Sequence, residues 1–462
     1  MKIGNPDRPI TSAWLTKEGH RLGAPPFLSG AVEARVLLDK LTVPKQALRE
    51  VTHDVFHAGR EARKWVSDPN YGVPFMSSSD VLTADLSKLP LISKKQVAKN
   101  PRFLISEGWT LITRSGTIGR MAYARGEMDG LACSEHVMRV VPNADLISSG
   151  YLYAYLASRF GKTLVAGGTY GAVIQHIEPE HVSELSVPRF GFEFEKKIHL
   201  LIKEAADLRS EANRKIHACQ KRIEAHLKSD FQELNPLFSI VESNKIKRLD
   251  AFYYNLRSQA DIKALSLEKS VKLGSLATVF TPGIFKRIHV DDPDYGYRYL
   301  SGTEIFQVNP KERGYLSKNS KNIDNYLVKN GWILMQDAGQ VGGLIGQVSY
   351  CYPYMDGSVL SNHIMRIAAN NPEDSAYLYA FLSSKLGYRQ IVRTAFGSSI
   401  PQIDPKYVAE IDIFWPSREE RAGLSDGISE AWEKINIAYN NEEKAIQLVE
   451  QAIEQNYVPP EV

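Results

Sequence analysis

The stretch Asp-Pro-Asn-Tyr-Gly at residues 68–72 returns as Asp-Pro-Asp-Tyr-Gly at residues 292–296, about 225 residues further along the chain. Four other blocks recur at nearly the same shift and in the same order: Gly-Trp at 108–109 and 331–332, Ser-Gly-Thr-Ile-Gly at 115–119 and Ala-Gly-Gln-Val-Gly at 338–342, Ser-Glu-His-Val-Met-Arg at 134–139 and Ser-Asn-His-Ile-Met-Arg at 361–366, and Tyr-Leu-Tyr-Ala at 151–154 and 377–380. A unit this long is a domain, since solenoid repeats span roughly 20 to 45 residues. The chain is therefore expected to contain two equivalent domains that bind two equivalent targets.

Composition restricts the class of protein. The chain has 462 residues, of which 43% are hydrophobic and 24% charged, so each repeat can bury a core of its own. No apolar run approaches the roughly 18 to 20 residues of a membrane span, and residues 1–6 do not resemble a signal peptide, which predicts a cytoplasmic protein. Three widely spaced cysteines, Cys133, Cys219 and Cys351, fit a reducing compartment and argue against a zinc cluster. The net charge of +3 is compatible with nucleic-acid binding without demanding it.

Each repeat is predicted to open with a globular domain, over residues 1–190 and 248–415. Short β-rich runs such as residues 331–335 alternate there with turn clusters, and short helices are expected near residues 151–159 and 377–385. The fold class is therefore mixed α/β.

Each globular domain is followed by a polar segment whose apolar residues recur at steps of three and four, the pattern of a coiled-coil seam. The first seam contains Ile198, Ile202, Ala205, Ala212, Ile216, Cys219 and Ile223, with a break at Arg209. The second contains Leu424, Ile428, Ala431, Ile435, Ala438, Ala445, Val449 and Ala452, with a break at Glu442. These patterns predict helices over residues 191–230 and 416–456, followed by a linker at 231–247 and a tail at 457–462.

A capping box formed by Ser417 and Glu420 favours a helix start next to Pro416. Helices of about 35 to 40 residues would be roughly 50 to 60 Å long, too long for the core of either globular domain. We expect the two helices to pair in antiparallel fashion, although two separate helices that fold back on their own domains would give the same pattern. Antiparallel pairing would place the domains at opposite ends of a rod. DNA is the commonest long target that presents two sites at a fixed distance.

These features resemble the specificity subunit of type I restriction-modification systems over nearly the whole chain. Residues 248–254, Arg-Leu-Asp-Ala-Phe-Tyr-Tyr, look like the family's opening Arg-x-Asp-x-x-Tyr-Tyr motif, whereas residues 21–24 form a degenerate first copy. The glycine-rich patterns at 108–119 and 331–342 are similar to the family's mid-domain hairpin. Residues 168–177 and 395–403 are similar to its segment before the spacer helix.

The resemblance implies a non-enzymatic subunit with two target-recognition domains, each reading one half of a bipartite site on double-stranded DNA. The two helices would fix the unread gap and dock two methyltransferase subunits, and restriction subunits where a nuclease is present. It also implies that this chain binds no cofactor, since S-adenosylmethionine and ATP would be bound by the partner chains.

Two alternatives belong to other classes. The blocks at 68–71 and 292–295 are near misses to the Asp-Pro-Pro-Tyr motif of adenine methyltransferases, but no loop for S-adenosylmethionine accompanies them. A turn whose glycine, Gly72 or Gly296, supplies a positive φ explains them more simply.

The glycines at 116–119 and 339–346 lack the Lys-Ser/Thr of a nucleotide-binding loop. His136 and His363 have no neighbours at the spacing of metal ligands, which favours structural histidines. A duplicated scaffold that binds no nucleic acid is the other alternative.

Contacts with DNA require polar and basic residues on loops, because phosphate contacts position a protein and base-edge contacts specify the sequence. Three pairs of equivalent loops supply such residues. In the first repeat the candidates are Arg60, Arg63, Lys64, Arg114, Thr117, Arg120, Tyr170, Gln175 and His176. In the second repeat they are Lys286, Arg287, Gln336, Gln340, Ser398, Ser399 and Gln402. The two sets differ, which fits two domains that read different half-sites.

Overall fold

The computed structural model describes residue 12 and residues 30–115, 118–169, 176–227, 240–246, 248–249 and 251–458. The chain forms two compact units. The first consists of Met1–Ser210 with Ile437–Val462, and the second of Glu211–Asn436. Each unit therefore contains most of one repeat together with part of the long helix that follows the other repeat. The domain boundaries at 190, 247 and 415 remain predictions.

The described residues of the first unit form two four-stranded sheets and a two-stranded one. Its strands are β1 (Lys45–Ala47), β2 (Thr52–His57), β3 (Trp65–Val66), β4 (Gly72–Met76), β5 (Leu91–Ser93), β6 (Thr110–Thr113), β7 (Met121–Tyr123), β8 (Ala132–Cys133), β9 (Val137–Pro142) and β10 (Ser186–Pro188). The strand orders are β2-β9-β6-β7, β3-β5-β4-β8 and β1-β10. Its helices are α1 (Ala31–Lys40), α2 (Lys94–Lys99), α3 (Ser149–Ala157), α4 (Arg159–Gly167) and α5 (Pro179–Ser183), followed by the long helix α6 (Phe192–His226) that continues into the second unit.

The second unit repeats this topology. Its strands are β11 (Ser270–Lys272), β12 (Ala277–Phe280), β13 (His289–Val290), β14 (Gly296–Leu300), β15 (Tyr315–Ser317), β16 (Ile333–Gln336), β17 (Val348–Tyr350), β18 (Val359–Leu360), β19 (Ile364–Ala369) and β20 (Asp412–Phe414). The orders β12-β19-β16-β17, β13-β15-β14-β18 and β11-β20 match those of the first unit strand for strand. The helices are α7 (Leu256–Ser266), α8 (Leu273–Leu276), α9 (Ser375–Ser383), α10 (Lys385–Val392), α11 (Pro405–Ala409) and the long helix α12 (Arg418–Glu454), which continues into the first unit.

The central strands β6 and β16 are covered on both faces. Successive side chains of a strand point to opposite faces. In the first unit Leu111 packs into one apolar cluster and Ile112 into another, and in the second unit Leu334 and Met335 also pack into two different clusters. The clusters that contain Ile112 and Met335 also contain residues of the short helices and of the long helices, and they form the main cores.

Part of α6 and part of α12 pack together within each unit. In the second unit Glu211 lies 3.2 Å from Lys434 and Lys215 lies 2.7 Å from Glu430, so the partner number falls as the residue number rises. The helices are therefore antiparallel there. The contacts run in the same antiparallel order in the first unit. There the Phe194 ring lies 5.4 Å from the Tyr457 ring, and Glu204 accepts a hydrogen bond from Asn441 at 3.0 Å.

The predicted seam residues face the cores. Seven of the eight large seam residues are buried, namely Ile198, Ile202, Ile216, Ile223, Leu424, Ile428 and Val449, and Ile435 is half-buried. Helix α12 begins at Arg418, where Ser417 Oγ accepts a hydrogen bond from the Glu420 amide at 3.2 Å, as the capping box predicts. Among the described residues no helix is long and apolar enough to cross a membrane.

The Asp-Pro-x-Tyr-Gly blocks lead into strands β4 and β14. Asp68 and Asp292 accept hydrogen bonds from the amides of Asn70 and Asp294 at 2.8 and 2.9 Å, which closes the turn. The prediction that the glycine supplies a positive φ is wrong, because Gly296 has φ −133° and Gly72 also lies outside the left-handed region. The glycine is required by close approach instead, since a β-carbon would lie 2.6 Å from Leu91 Cβ at Gly72, and 2.5 Å from Tyr315 Cβ at Gly296.

Candidate nucleic-acid interface

Four segments of the first unit meet around His136. These described segments, residues 57–64, 114–115 with 118–120, 134–136 and 176–178, are called the first loop cluster. His136 Nδ1 lies 2.6 Å from Ser115 Oγ, and its Nε2 lies 3.4 Å from the Glu135 carboxylate. Glu135 in turn pairs with Arg63 at 3.0 Å. Burial, together with the nearby Arg63 and Arg114, lowers the pKa of His136 and outweighs the opposing charge of Glu135.

Backbone hydrogen bonds fix the centre of this cluster. The Arg114 amide donates to the His136 carbonyl at 2.9 Å, and the Arg114 carbonyl accepts from the Ile177 amide at 3.2 Å. Ser115 and His176 form an antiparallel bridge beside them. Three loops that are far apart in the sequence are thus tied to one residue, Arg114.

The second unit builds the same frame around Asp337, which occupies the position of Arg114. Its amide donates to the His363 carbonyl at 3.1 Å, its carbonyl accepts from the Ile403 amide at 2.8 Å, and Ala338 bridges to Gln402. Residues 281–287, 336–342, 361–363 and 396–403 are called the second loop cluster. The three pairs of loops that the sequence singles out therefore converge in both units.

The side chains on this shared frame carry opposite charges. Arg114 is buried, donates to the Ile177 carbonyl at 3.1 Å and pairs with Glu178 at 2.6 Å. Asp337 is also buried and lies 3.4 Å from His363 Nδ1 and from Thr281 Oγ1. Burial raises the pKa of the Asp337 carboxyl, against the opposing effect of His363. The two equivalent loop clusters are consequently built around different buried side chains.

The predicted contact residues of the first repeat occupy different environments. Arg60 and Lys64 are exposed, whereas Arg63 is half-buried in its pair with Glu135, and its guanidinium lies 5.0 Å from the centre of the Phe75 ring. Arg120 is half-buried, and its amide donates to Thr113 Oγ1 at 3.0 Å. His176 is half-buried in its bridge to Ser115. Thr117, Tyr170 and Gln175 lie outside the described residues.

Most of the predicted contact residues of the second repeat are exposed. These are Lys286, Arg287, Gln340, Ser398, Ser399 and Gln402. Gln340 Nε2 donates to the Ser399 carbonyl at 3.0 Å and joins the hairpin to the last loop. Gln336 is half-buried and donates to the Ala338 carbonyl at 2.9 Å, so it shapes the hairpin.

Two buried arginines that sequence reasoning did not single out hold the histidine turns in place. Arg139 donates to the carbonyls of Ser134, Val137, Phe103 and Cys133, and Arg366 donates to those of Ser361, Ile364, Tyr326 and Leu360. Both side chains are fully buried. Burial lowers the pKa of Arg366 to about 10, so the guanidinium stays charged at neutral pH. The sequence signal that could have identified them is an arginine at the same position of two equivalent, otherwise apolar strands, β9 and β19.

Among the described residues no group of histidine, cysteine and acidic side chains could hold a metal ion. What the two clusters present is a set of exposed cations and amides on loops anchored by buried hydrogen bonds. Such a surface suits a polyanion whose phosphates and base edges are contacted together.

The family comparison gives a match to the second repeat. Residues 267–446 match the model of the type I restriction modification DNA specificity domain, and this range contains the whole second loop cluster. Residues 267–446 are therefore similar to a type I restriction modification DNA specificity domain, and the resemblance found from the motifs is confirmed over this range. No curated protein matches the sequence.

Solved structures that match the chain have low sequence identity. The type I S subunit from M. genitalium is 11% identical with a TM-score of 0.34, and the match covers 92% of this chain and 98% of that one. The HsdS subunit from Thermoanaerobacter tengcongensis is 13% identical with a TM-score of 0.29, covering 90% and 97%. A chain from a structure of type I restriction-modification complex assembly is 12% identical with a TM-score of 0.29, covering 90% and 100%.

Proposed function

We propose that this chain is the DNA-recognition subunit of a type I restriction-modification complex, or of a related methylation-based defence complex, and that each repeat reads one half of a bipartite site. One observation carries the proposal. The same backbone frame is built in both units, yet Arg114 stands in one where Asp337 stands in the other. Duplicated frames with divergent side chains suit two half-sites of unequal sequence.

The exposed cations occupy one loop in both units. Arg60 and Lys64 follow strand β2, and Lys286 and Arg287 follow the equivalent strand β12. Exposed cations on a loop suit phosphate contacts, which supply salt-dependent affinity without sequence preference. Exposed amides and hydroxyls nearby, such as Gln340 and Ser398, can reach base edges.

The two long helices would set the unread gap between the half-sites, because α6 and α12 both pass from one unit into the other. They would also dock two methyltransferase subunits and, where a nuclease is present, restriction subunits. In the first unit Phe192 and Leu200 are exposed on α6, and a groove of about 330 Å³ runs beside Leu200, Leu201 and Lys444. Adenine methylation and ATP-driven steps would belong to the partner chains.

The test is a genome-wide map of modified adenines in cells with and without this chain, with the methyltransferase subunits retained. We expect one bipartite sequence to lose its methylation when the chain is absent. The charge-swap variant Asp337→Arg should alter the bases of one half-site and leave the other half unchanged. Lys263→Gln, an exposed change on helix α7 outside the cluster, is the control and should keep both half-sites. An unchanged methylation map in the absence of the chain would refute the proposal.

A further inference from the structure

Ile284 is exposed to solvent at the tip of the loop that follows β12. Its side chain is 90% exposed. The loop is nevertheless anchored on both sides of it, since Thr281 Oγ1 lies 3.4 Å from the Asp337 carboxylate and the Phe285 ring lies 3.9 Å from that of Tyr326. An apolar side chain is therefore presented outward from a fixed position.

Two neighbouring loops of the second loop cluster also expose a branched apolar side chain. Val341 is 45% exposed in the hairpin, and Ile400 is 63% exposed in the last loop, next to Ser399, whose carbonyl is bonded to Gln340. Single exposed apolar residues are common on protein surfaces. Three of them on three loops that meet at one place indicate a surface that contacts apolar groups on a partner.

The charges beside Ile284 restrict what that partner can be. Lys286 and Arg287 follow it and are both exposed. A partner must therefore offer negative charge within a few ångströms of an apolar group. The major groove of DNA does so, because phosphates flank the 5-methyl group that each thymine displays there. A DNA specificity domain matched over this segment makes DNA the favoured occupant.

The first repeat carries a different chemistry at the same position. Gly59-Arg60 aligns with Gly283-Ile284, and Arg60 is exposed like Ile284. A guanidinium pairs with guanine or phosphate, whereas an isoleucine side chain can pack only on an apolar group such as the thymine methyl. The exchange of Arg60 for Ile284 is thus a change in what the loop tip can read.

We propose that Ile284 is a specificity-determining residue that packs against the 5-methyl group of one thymine in the half-site read by the second repeat. This inference rests on the proposed function. Burying one methyl group contributes enough free energy to change affinity by about four-fold. The effect should be confined to one base pair, because only one loop tip carries Ile284.

The test uses the complete complex with its methyltransferase subunits and duplex DNA that contains the mapped site. Each thymine of the second half-site is replaced in turn by deoxyuridine, which lacks only the 5-methyl group. At one position the wild-type complex should bind about four-fold more weakly. Ile284→Ala should abolish this difference, while Ile284→Val should keep most of it. Lys40→Ala, an exposed change on helix α1 outside both loop clusters, is the control and should keep it fully.

Other outcomes separate the inference from the proposed function. If the complex selects its site but no deoxyuridine substitution matters, or the half-site holds no thymine, the inference fails and the proposed function stands. The inference also fails if Ile284→Ala weakens all DNA equally, as an inserted wedge would, or weakens only assembly with the partner subunits. If the wild-type complex does not distinguish its site from random DNA, the proposed function itself fails.

Discussion

Arg209 of helix α6 forms an ion pair with Glu442 of helix α12, and both side chains are buried in the core of the first unit, with 6% and 4% of their surfaces exposed. Tyr153 Oη donates to the same carboxylate at 2.6 Å. Arg209 and Glu442 are the two residues that interrupt the apolar seams of their helices. The two residues that interrupt the seams are thus partners of each other, as expected for a polar pair that specifies the register of two helices.

Removing one member of this pair should destabilise the protein strongly. We expect Glu442→Leu to lower the free energy of unfolding by about 3 to 5 kcal/mol, because it leaves the Arg209 charge buried without its carboxylate. The triple variant Tyr153→Phe/Arg209→Met/Glu442→Leu replaces the whole polar group and should recover most of that loss. Urea-induced unfolding followed by circular dichroism measures both.

The exposed pair Lys215–Glu430 also joins α6 to α12 and serves as the matched control. Lys215→Met should lower the free energy of unfolding far less than Glu442→Leu does, since ion pairs near solvent contribute little. Equal losses for Lys215→Met and Glu442→Leu would contradict the role given to the buried pair.

The cations of the first loop cluster should differ in their effect on DNA binding. Lys64→Ala and, in the second repeat, Lys286→Ala should each reduce the slope of log affinity against log salt by roughly 0.9, the value for one lost phosphate contact. Arg63→Ala should change the slope less, because Arg63 pairs with Glu135. Affinity of the assembled complex is measured by fluorescence anisotropy between low and moderate salt. Lys40→Ala, an exposed change on helix α1, is the control. If Lys40→Ala reduces the slope as much as Lys64→Ala does, Lys64 makes no specific phosphate contact.

The buried arginines should be intolerant of replacement. Arg366→Met removes the donors to the carbonyls of Ser361, Ile364, Tyr326 and Leu360, and we expect a loss of about 3 to 5 kcal/mol in the free energy of unfolding. Arg366→Lys should recover little, since an ammonium cannot reproduce the planar set of guanidinium donors. Thermal unfolding compares both with Arg287→Met, which alters an exposed arginine. A wild-type melting temperature for Arg366→Met would show that the carbonyls find other donors.

Lengthening both long helices should lengthen the unread gap in the DNA. Four residues inserted after Ser210 and four after Asn436, where the helices pass from one unit to the other, add roughly 6 Å, or nearly two base-pair steps of about 3.4 Å. These positions leave the Arg209–Glu442 pair intact. Mapping of modified adenines should show both half-sites unchanged and the gap longer. Arg214→Ala, which changes no length, should keep the original gap, and an inserted variant that also keeps it would show that the helices do not set the spacing.

The duplicated fold could be read from the sequence because its signals are local. Each signal lies within a few neighbouring residues, as the turn residues, the β-rich runs and the capping box of Ser417 do. The repetition of five blocks in one order then showed which elements of the two repeats are equivalent. The role of Gly72 could not be predicted, because the constraint comes from Leu91 on a neighbouring strand and not from its own turn.

The pairing of side chains could not be predicted, since the partners are distant in sequence. Arg114 meets Glu178 64 residues later, and Arg209 meets Glu442 233 residues later. A basic residue in a glycine-rich hairpin gives no sign that it will be buried. The sequence therefore indicated which loops to consider, while the structure distinguishes exposed Lys64 from buried Arg114 within them.

The passage of α12 into the first unit has a consequence for how the chain is made. Ala445, Ile446 and Val449 belong to the same apolar cluster as Ile198 and Ile202, although they leave the ribosome after all of the second unit. At about 5 to 20 residues per second, translation of the intervening stretch takes on the order of ten to fifty seconds. During that interval the apolar seam of the nascent first unit lacks its α12 residues, and the second unit acquires every segment of its core by the end of it. The unit whose synthesis begins first is therefore the one whose last core segment is synthesised last.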